Sequence, residues 1–575
     1  MNQRRLQFFT VLGIGLLAVF LSLDISLFVE DEGLYAAIID QTFKHEDPFH
    51  LDLYGETYLN KPPLFFWMES VVSTNLAPFF ESLEVALRLP ESLFSLGTLL
   101  LTYHLGVLLF SPLAGFWAGV AVATTYLFYW YGRLVLMDPG LTFFMTAGVY
   151  CWARAYFFEK QDWWYVVGFV SLAVGTMFKA PHALLLPCLV FLVFFWWERD
   201  WCIFRRWAFY LGSVVFLSMV VPYYWVLGPE FLENFFFKES LGRVLSEPTV
   251  GNEPFFYYLI VVWFDFFPWS VLFPSMLVLL WSARLRSEKS KELFLLVWIL
   301  AYFVAFSFAH GKTERYLLPI VPPIGLAIGF FYQSVLADCK QKIPCEWLLK
   351  VLLGALCIIN IFGLIAGPSI LKSKWGVSID VLPLFYTVGM TGLSGWLFWQ
   401  VVSARTHTAL NSLGLVAVGW MLGILGFLLP GVDAAASPRT MFQETRALLP
   451  DPDDPIRAFQ HWHWRGDEDL YYWQYRHPRL PDEKSGANII GGQKKIDHAW
   501  LKTLANITCL SVLGLSSKEL AQLVDQKGQI VIFMTPKQFT QLGRGNPAFK
   551  LERLRDFDRG KNRVVLVRLV RLREI

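Results

Sequence analysis

Long apolar runs separated by short charged breaks dominate this chain. A helix needs about 20 residues to cross the hydrocarbon of a bilayer. Runs near that length fall at 6–28, 89–110, 113–132, 139–158, 163–178, 181–197, 208–227, 263–281, 292–308, 317–336, 348–367, 381–402 and 410–430. The pattern predicts an α-helical polytopic membrane protein with about thirteen spans. The breaks give its orientation. Arg4 and Arg5, then Arg199, Arg205 and Arg206, then Arg284, Arg286, Lys289 and Lys291, then Lys340 and Lys342, then Arg405 occupy alternate loops, which positive charge assigns to the cytoplasm. The loop 29–88, the loop 228–262, the turn 309–316 and everything after Pro430 then lie on the extracytoplasmic side. The first run is too long for a removed leader and lacks a small-residue cleavage site, so it reads as a retained span.

Two domains follow: residues 1–430, a membrane domain with the extracytoplasmic loop 29–88, and residues 431–575. In the second, Asp451-Pro452-Asp453-Asp454-Pro455 is turn chemistry. Gln529–Thr535 and Arg563–Leu569 read as strands and Ser516–Asp525 as a helix opened by a serine, so a small extracytoplasmic α/β domain is expected. Its Tyr471-Tyr472-Trp473-Gln474-Tyr475-Arg476 run suits either a sugar cleft or an aromatic core.

Composition agrees with this division. The chain is 55% hydrophobic and 17% charged, with mean hydropathy +0.45, more apolar surface than one globular core buries. Net charge is +2 and no basic face remains outside the cytoplasmic loops, which argues against a nucleic-acid partner. The seven cysteines contain no CxxC pair, so neither a disulfide framework nor a zinc site is indicated.

The chemistry gathers on the extracytoplasmic side. Glu30, Asp31 and Glu32 follow the first span and open a segment, Gly33–Gln41, that can form a short helix with Tyr35 on it. Capping would explain one acid at a helix start, but carboxylates beside hydrocarbon are costly unless they face a cavity. Lys61, before Pro62 and Pro63, stands where a helix starts. There an ammonium and backbone N–H groups can converge on one phosphate, or the lysine can snorkel to lipid headgroups. Arg133 and Asp138 flank the return into the fourth run, either as an ion pair tying spans or with Asp138 facing the cavity. Lys179 and the turn Lys312-Thr313-Glu314-Arg315-Tyr316 fall on the same side.

These landmarks, Asp31-Glu32-xx-Tyr35, Tyr58-Leu59-Asn60-Lys61-Pro62-Pro63-Leu64, Arg88-Leu89-Pro90, Arg133 to Asp138, Lys179-x-Pro181 and Arg315-Tyr316-Leu317-Leu318-Pro319, resemble in kind and order the GT-C glycosyltransferases that use polyprenyl-phosphate sugars. Within that family the likeness is to the lipid A aminoarabinose transferases and the protein O-mannosyltransferases, the glycosyltransferase family 39/83 type. The resemblance covers about the first 330 residues by motif order. It implies a GT-C fold and transfer from an undecaprenyl-phosphate-type donor to an envelope acceptor such as lipid A, at the outer face of a bacterial inner membrane. It also implies that Asp31 is the active-site acid, that Lys61 binds the donor phosphate, and that Asp138 and Tyr316 line the cavity. Asp138 and Glu32 join the catalytic set, Arg315 and Tyr316 join the phosphate-binding set, and Tyr35, Arg133 and Lys179 join the cavity. The family often carries an acid before the lysine, where this chain has Asn60, so metal-independent transfer is expected, with no cofactor indicated. A transporter or flippase is the rival reading, but transporters show repeated halves and no repeat is visible here.

Overall fold

The computed structural model describes residues 3–436, apart from the breaks 27–29, 44–46, 54–55, 159–160, 242–252, 284–289, 310, 338–342, 376–383 and 404. It also describes the segments 529–534, 549–559 and 562–571. Among the described residues each apolar run overlaps helix, but the first leaves helix after Phe20 and the run 263–281 is interrupted by a sharp bend. The first ten helices are α1 (Gln3–Phe20), α2 (Glu30–Gln41), α3 (Leu64–Leu76), α4 (Leu83–Leu109), α5 (Pro112–Thr124), α6 (Tyr126–Tyr131), α7 (Met137–Phe157), α8 (Trp163–Phe178), α9 (His182–Glu198) and α10 (Trp207–Leu232). Among the described residues six helices are long and apolar enough to cross a membrane, or seven if the bent pair Tyr257–Asp265 and Trp269–Ala283 is one span; α5, α8 and α9 are shorter apolar helices. The chain is a multi-pass membrane protein. On α10 the side chains of Trp207, Tyr210, Val214, Leu217, Val221 and Trp225 are exposed, a stripe that only lipid can cover at low cost.

The chain divides into two compact units. The first comprises residues 1–24, 41–365 and 382–427; the second comprises 25–40, 366–381 and 428–575. In the first, α5 packs against α1, α4 and the helix Val321–Ala337, while α7 packs against α4 and α8, and α8 against α10. Small residues bring the helices together, as expected where water supplies no drive for association. A Cβ on Gly115 would stand 2.7 Å from the Tyr103 carbonyl oxygen and 2.9 Å from the Val107 nitrogen, so α4 and α5 touch backbone to backbone. The end of α1 is held by two buried guanidinium groups. Arg88 Nη1 donates to the Leu23 carbonyl at 3.0 Å, and Arg133 donates to the carbonyls of Leu21 and Ser22. Carbonyls left over at a helix end thereby find donors.

In the second unit the Ser26 N–H donates to Asp433 Oδ1 at 3.1 Å. Strands β3 (Gln529–Met534), β4 (Phe549–Arg559) and β5 (Asn562–Arg571) form an antiparallel sheet in the order β3-β5-β4, with a register shift between Arg553 and Arg555; β1 (Asp52–Leu53) and β2 (Glu56–Thr57) make a small hairpin in the first unit. Two of the large strands fall where expected, and β4 adds one that the sequence pattern did not suggest. The expected helix Ser516–Asp525 and the aromatic run 471–476 lie outside the described residues.

Gly115→Ala should destabilise the protein by about 1–3 kcal/mol through overpacking. Gly13→Ala, at a site with nothing within 4 Å of a new Cβ, should be neutral or mildly stabilising. Melting of the two variants in detergent checks the contrast; equal melting temperatures would contradict the close approach.

Candidate active site

Helix α7 begins with Met137, after Leu136 in extended conformation, which puts Asp138 in its first turn, where a carboxylate is favoured. Glu91 of α4 supports the same helix start by accepting from the Gly140 N–H at 2.9 Å. Asp138 is nearly sealed from solvent, its side chain 6% exposed, and forms a short ion pair with Lys179, the residue that ends α8. Arg315 Nε lies 3.9 Å from the other Asp138 oxygen. Arg315 and Tyr316 sit on the 3-10 turn Glu314–Ile320, which packs against α6 and α7. The Lys179 ammonium stands 5.3 Å from the centre of the Tyr316 ring, where a ring face attracts a cation. One buried carboxylate thus organises two cations and a tyrosine.

The segment around Lys61 packs on tyrosines of α10. Helix α3 starts at Leu64, three residues beyond Lys61, and its first N–H donates to the Tyr223 hydroxyl at 3.0 Å. The same hydroxyl donates to the Met177 carbonyl at 3.3 Å, and the Tyr224 hydroxyl donates to the Thr176 carbonyl at 2.9 Å. Leu59 and Leu64, which flank Lys61, pack on the cluster containing Tyr223, Tyr224 and Ala180, which follows Lys179. The charges of Lys61, Lys179 and Asp138 all act on the His182 ring at the start of α9. The expected convergence of helix-start N–H groups on a phosphate is reduced here, because the Leu64 N–H is committed to Tyr223.

Asp31, Glu32 and Tyr35 lie on α2, which starts at Glu30, three residues earlier than expected, so the acids form its first turn. Glu32 and Tyr35 are buried and Asp31 is half-buried. These three belong to the second compact unit, and the other candidates to the first. Arg133 is buried on the end of α1, where it bonds the Leu21 and Ser22 carbonyls. Among the described residues no group of three or more His, Cys, Asp or Glu side chains is placed to hold a metal ion.

Sequence reasoning overlooked Glu69, Glu91 and His182. A lone acid inside an apolar run was the available signal for the first two. Glu69, on α3, is fully buried, and neither of its oxygens has a hydrogen-bond partner among the described residues. Burial, and then the Glu91 carboxyl beside it, push its pKa well above the usual carboxylate range. Two ionised carboxylates cannot donate to each other, so the pair becomes a hydrogen bond only when one member carries a proton.

The model of the dolichyl-phosphate-mannose-protein mannosyltransferase family matches residues 6–235. The undecaprenyl phosphate-alpha-4-amino-4-deoxy-L-arabinose arabinosyl transferase of Serratia proteamaculans is 24% identical over 415 residues, 70% of this chain and 72% of that protein. Its counterpart in Erwinia tasmaniensis is 26% identical over 393 residues, 66% and 67% of the two chains. The crystal structure of ArnT from Cupriavidus metallidurans bound to undecaprenyl phosphate superposes with a TM-score of 0.69 at 21% identity, covering 98% of this chain and 97% of that one. The chain has a GT-C glycosyltransferase fold. It resembles the arabinosyl transferases over about two thirds of its length and the protein mannosyltransferases over its first 235 residues, in agreement with the motif order. Within that fold, Asp138, Lys179, Arg315 and Tyr316 form one connected group, with Lys61 within electrostatic reach of the shared neighbour His182.

Replacing Glu69 by Gln should stabilise the protein increasingly as pH rises. An acid whose pKa is raised by folding holds its proton longer in the folded state, so the parent loses stability as pH climbs from the unfolded value towards the folded one. Melting curves of parent and Glu69→Gln should therefore nearly coincide at acid pH and separate by ~2–5 °C at pH 8. A separation that is independent of pH would contradict the buried acid pair.

Proposed function

We propose that the chain is a membrane glycosyltransferase that moves a sugar from an undecaprenyl-phosphate-type lipid to an acceptor at the extracytoplasmic face of a bacterial inner membrane. Aminoarabinose transfer to a lipid A phosphate is the specific reading. The observation that carries it is the gathering of Lys179, Arg315 and Tyr316 around buried Asp138 in a chain whose lipid-facing surface is otherwise apolar. Cations at membrane depth are expensive and mark the site of an anion, and the named relatives act on a lipid phosphate. In this reading thirteen spans put the basic N-terminus in the cytoplasm and the C-terminal domain outside it.

In the reaction the anomeric C–O bond of the donor breaks and the polyprenyl phosphate leaves. Lys61, with Arg315 and Tyr316, takes the charge that develops on the leaving phosphate. Asp138 holds Lys179 and Arg315 in place, so that little reorganisation accompanies bond breaking. Asp31, with Glu32 beside it, orients the acceptor or removes its proton; for an acceptor that is already an anionic phosphate, positioning dominates. No metal takes part.

Purified protein should move label from undecaprenyl-phosphate aminoarabinose to lipid A in mixed micelles. Asp31→Asn, which keeps shape and most capping capacity, should lower turnover ~10²–10⁴-fold with an unchanged melting temperature. Label that stays on the donor with every envelope acceptor offered contradicts the transferase reading. Near-parental turnover of Asp31→Asn removes that residue from the mechanism, and label on a protein acceptor replaces lipid A with a mannosyltransferase-like acceptor.

A further inference from the structure

The helix that carries Asp138 has no capping side chain of its own. Leu136 stands at the N-cap of α7 with no polar group to offer, and the side chain that bonds a first-turn N–H comes from another helix: Glu91 of α4 accepts from Gly140 at 2.9 Å. Gly140 is held on its other side by α8, since a Cβ there would stand 2.5 Å from Cε1 of Phe178, the residue before Lys179. The Phe178 ring lies 5.4 Å from that of Phe65 on α3 and 5.8 Å from that of Phe94 on α4, between centroids. Phe65 and Glu69 are one turn apart on α3, and Glu91 and Phe94 one turn apart on α4. Each helix therefore brings one ring to Phe178 and one acid to its neighbour.

Glu69 and Glu91 are both 0% exposed. Glu91 Oε2 is used by Gly140, whereas Glu91 Oε1 and both Glu69 oxygens have no hydrogen-bond partner among the described residues. Two buried carboxyl groups side by side are joined by one proton and driven apart by none. Burial and the neighbouring Glu91 make Glu69 keep a proton well above the usual carboxylate range, and donating it to Glu91 leaves Glu91 as the acceptor that Gly140 uses. The charged groups that act on Glu91 from other helices are Asp138 and Lys179. The other elements packed on α3 and α4 add none: α5, the turn Ala77–Phe79 and the helix Val321–Ala337 contain no charged residue, and Arg4 of α1 acts on His104, further along α4. On α4 itself Arg88 donates to the Leu23 carbonyl and Glu84 accepts from the Ser82 hydroxyl.

We propose that Glu91 is a positioning residue of the transferase site: joined to Glu69 by a shared proton, it fixes the first turn of α7 and so sets Asp138, which holds Lys179 and Arg315. The proposal rests on the transferase reading and adds to it a residue that acts through Asp138 and a dependence of turnover on one proton. That proton is present at low pH and lost to solvent as pH rises. A second negative charge then appears beside Glu91 where water does not screen it. The two acids part, Gly140 loses its acceptor, and Asp138 moves with the helix start.

The test is turnover of the full-length protein, per folded molecule, from about pH 6 to about pH 9 for the parent, Glu69→Gln, Glu91→Gln and Glu91→Ala. A glutamine at either position supplies an N–H donor in place of the proton at every pH. Relative to Glu69→Gln, parent turnover should fall ~10–100-fold across that range, in kcat and not in KM. Glu91→Gln should follow Glu69→Gln, and Glu91→Ala should be slow throughout. Titration of the substrates is common to all four proteins and cancels in the ratio. Parallel pH profiles of the parent and Glu69→Gln, or parental turnover in Glu91→Ala, overturn the proposal; if Glu91→Ala does not fold, the two glutamine variants decide it. Should the parent transfer nothing at any pH, the transferase reading fails, and hydrogen exchange of the peptide spanning Met137–Gly140 decides the hold on α7 alone. Exchange that grows with pH in the parent relative to Glu69→Gln supports that hold, and an unchanging ratio overturns it.

Discussion

Charge inside a low-dielectric wall must be paired, and in this protein the pairing is built on Asp138. A carboxylate this buried costs several kcal/mol unless cations and hydrogen bonds compensate it. Lys179 and Arg315 supply the cations, and its place in the first turn of α7 adds the favourable end of a helix dipole. Because the partners come from the end of α8 and from the turn Glu314–Ile320, satisfying one carboxylate fixes three segments that are far apart in the chain. The cations are then held without flexible side-chain searching, which is the preorganisation that electrostatic catalysis requires.

The surrounding structure protects that arrangement. Glu91 accepts from Gly140 in the first turn of α7, and Glu69 stands behind Glu91. Tyr223 and Tyr224 of α10 bind the end of α8, and Tyr223 also binds the start of α3, so that Lys61 and Lys179 are mounted on one aromatic cluster. Arg88 and Arg133 donate to the carbonyls of the turn that follows α1. An arginine in a membrane protein therefore has two quite different uses here. Arg315 faces a carboxylate, whereas Arg133 bonds backbone carbonyls.

Much of this was legible in the sequence, for reasons that differ by element. Apolar runs are long, and their signal adds up over many residues, so most of the long helices were found; α6, six residues after a break at Thr125, merged into the run before it because its composition does not change there, and the helix Tyr257–Asp265 with the bend that follows it was missed. Lys179, Arg315 and Tyr316 stood out because charge beside hydrocarbon is costly. Their common partner Asp138 was expected on the same side, but no spacing rule reveals that one carboxylate would join residues 41 and 177 positions away. Glu69 and Glu91 were missed because a single acid leaves a hydropathy pattern almost unchanged, and the consequence of burying it depends on neighbours from other helices. The strand β4 escaped because Phe549–Arg559 is rich in charge, which obscures the alternation that marked β3 and β5.

If the cations gathered around Asp138 seat a lipid phosphate, the protein should tell that phosphate from the corresponding alcohol. Titration of the purified full-length protein with undecaprenyl phosphate and with undecaprenol, read by native mass spectrometry, tests it most directly. Saturable binding of one lipid phosphate, at least about tenfold weaker binding of the alcohol, and loss of that preference in Lys61→Ala are the expected results. Equal binding of phosphate and alcohol by the parent, or a preference that survives in Lys61→Ala and in Arg315→Ala alike, would contradict it.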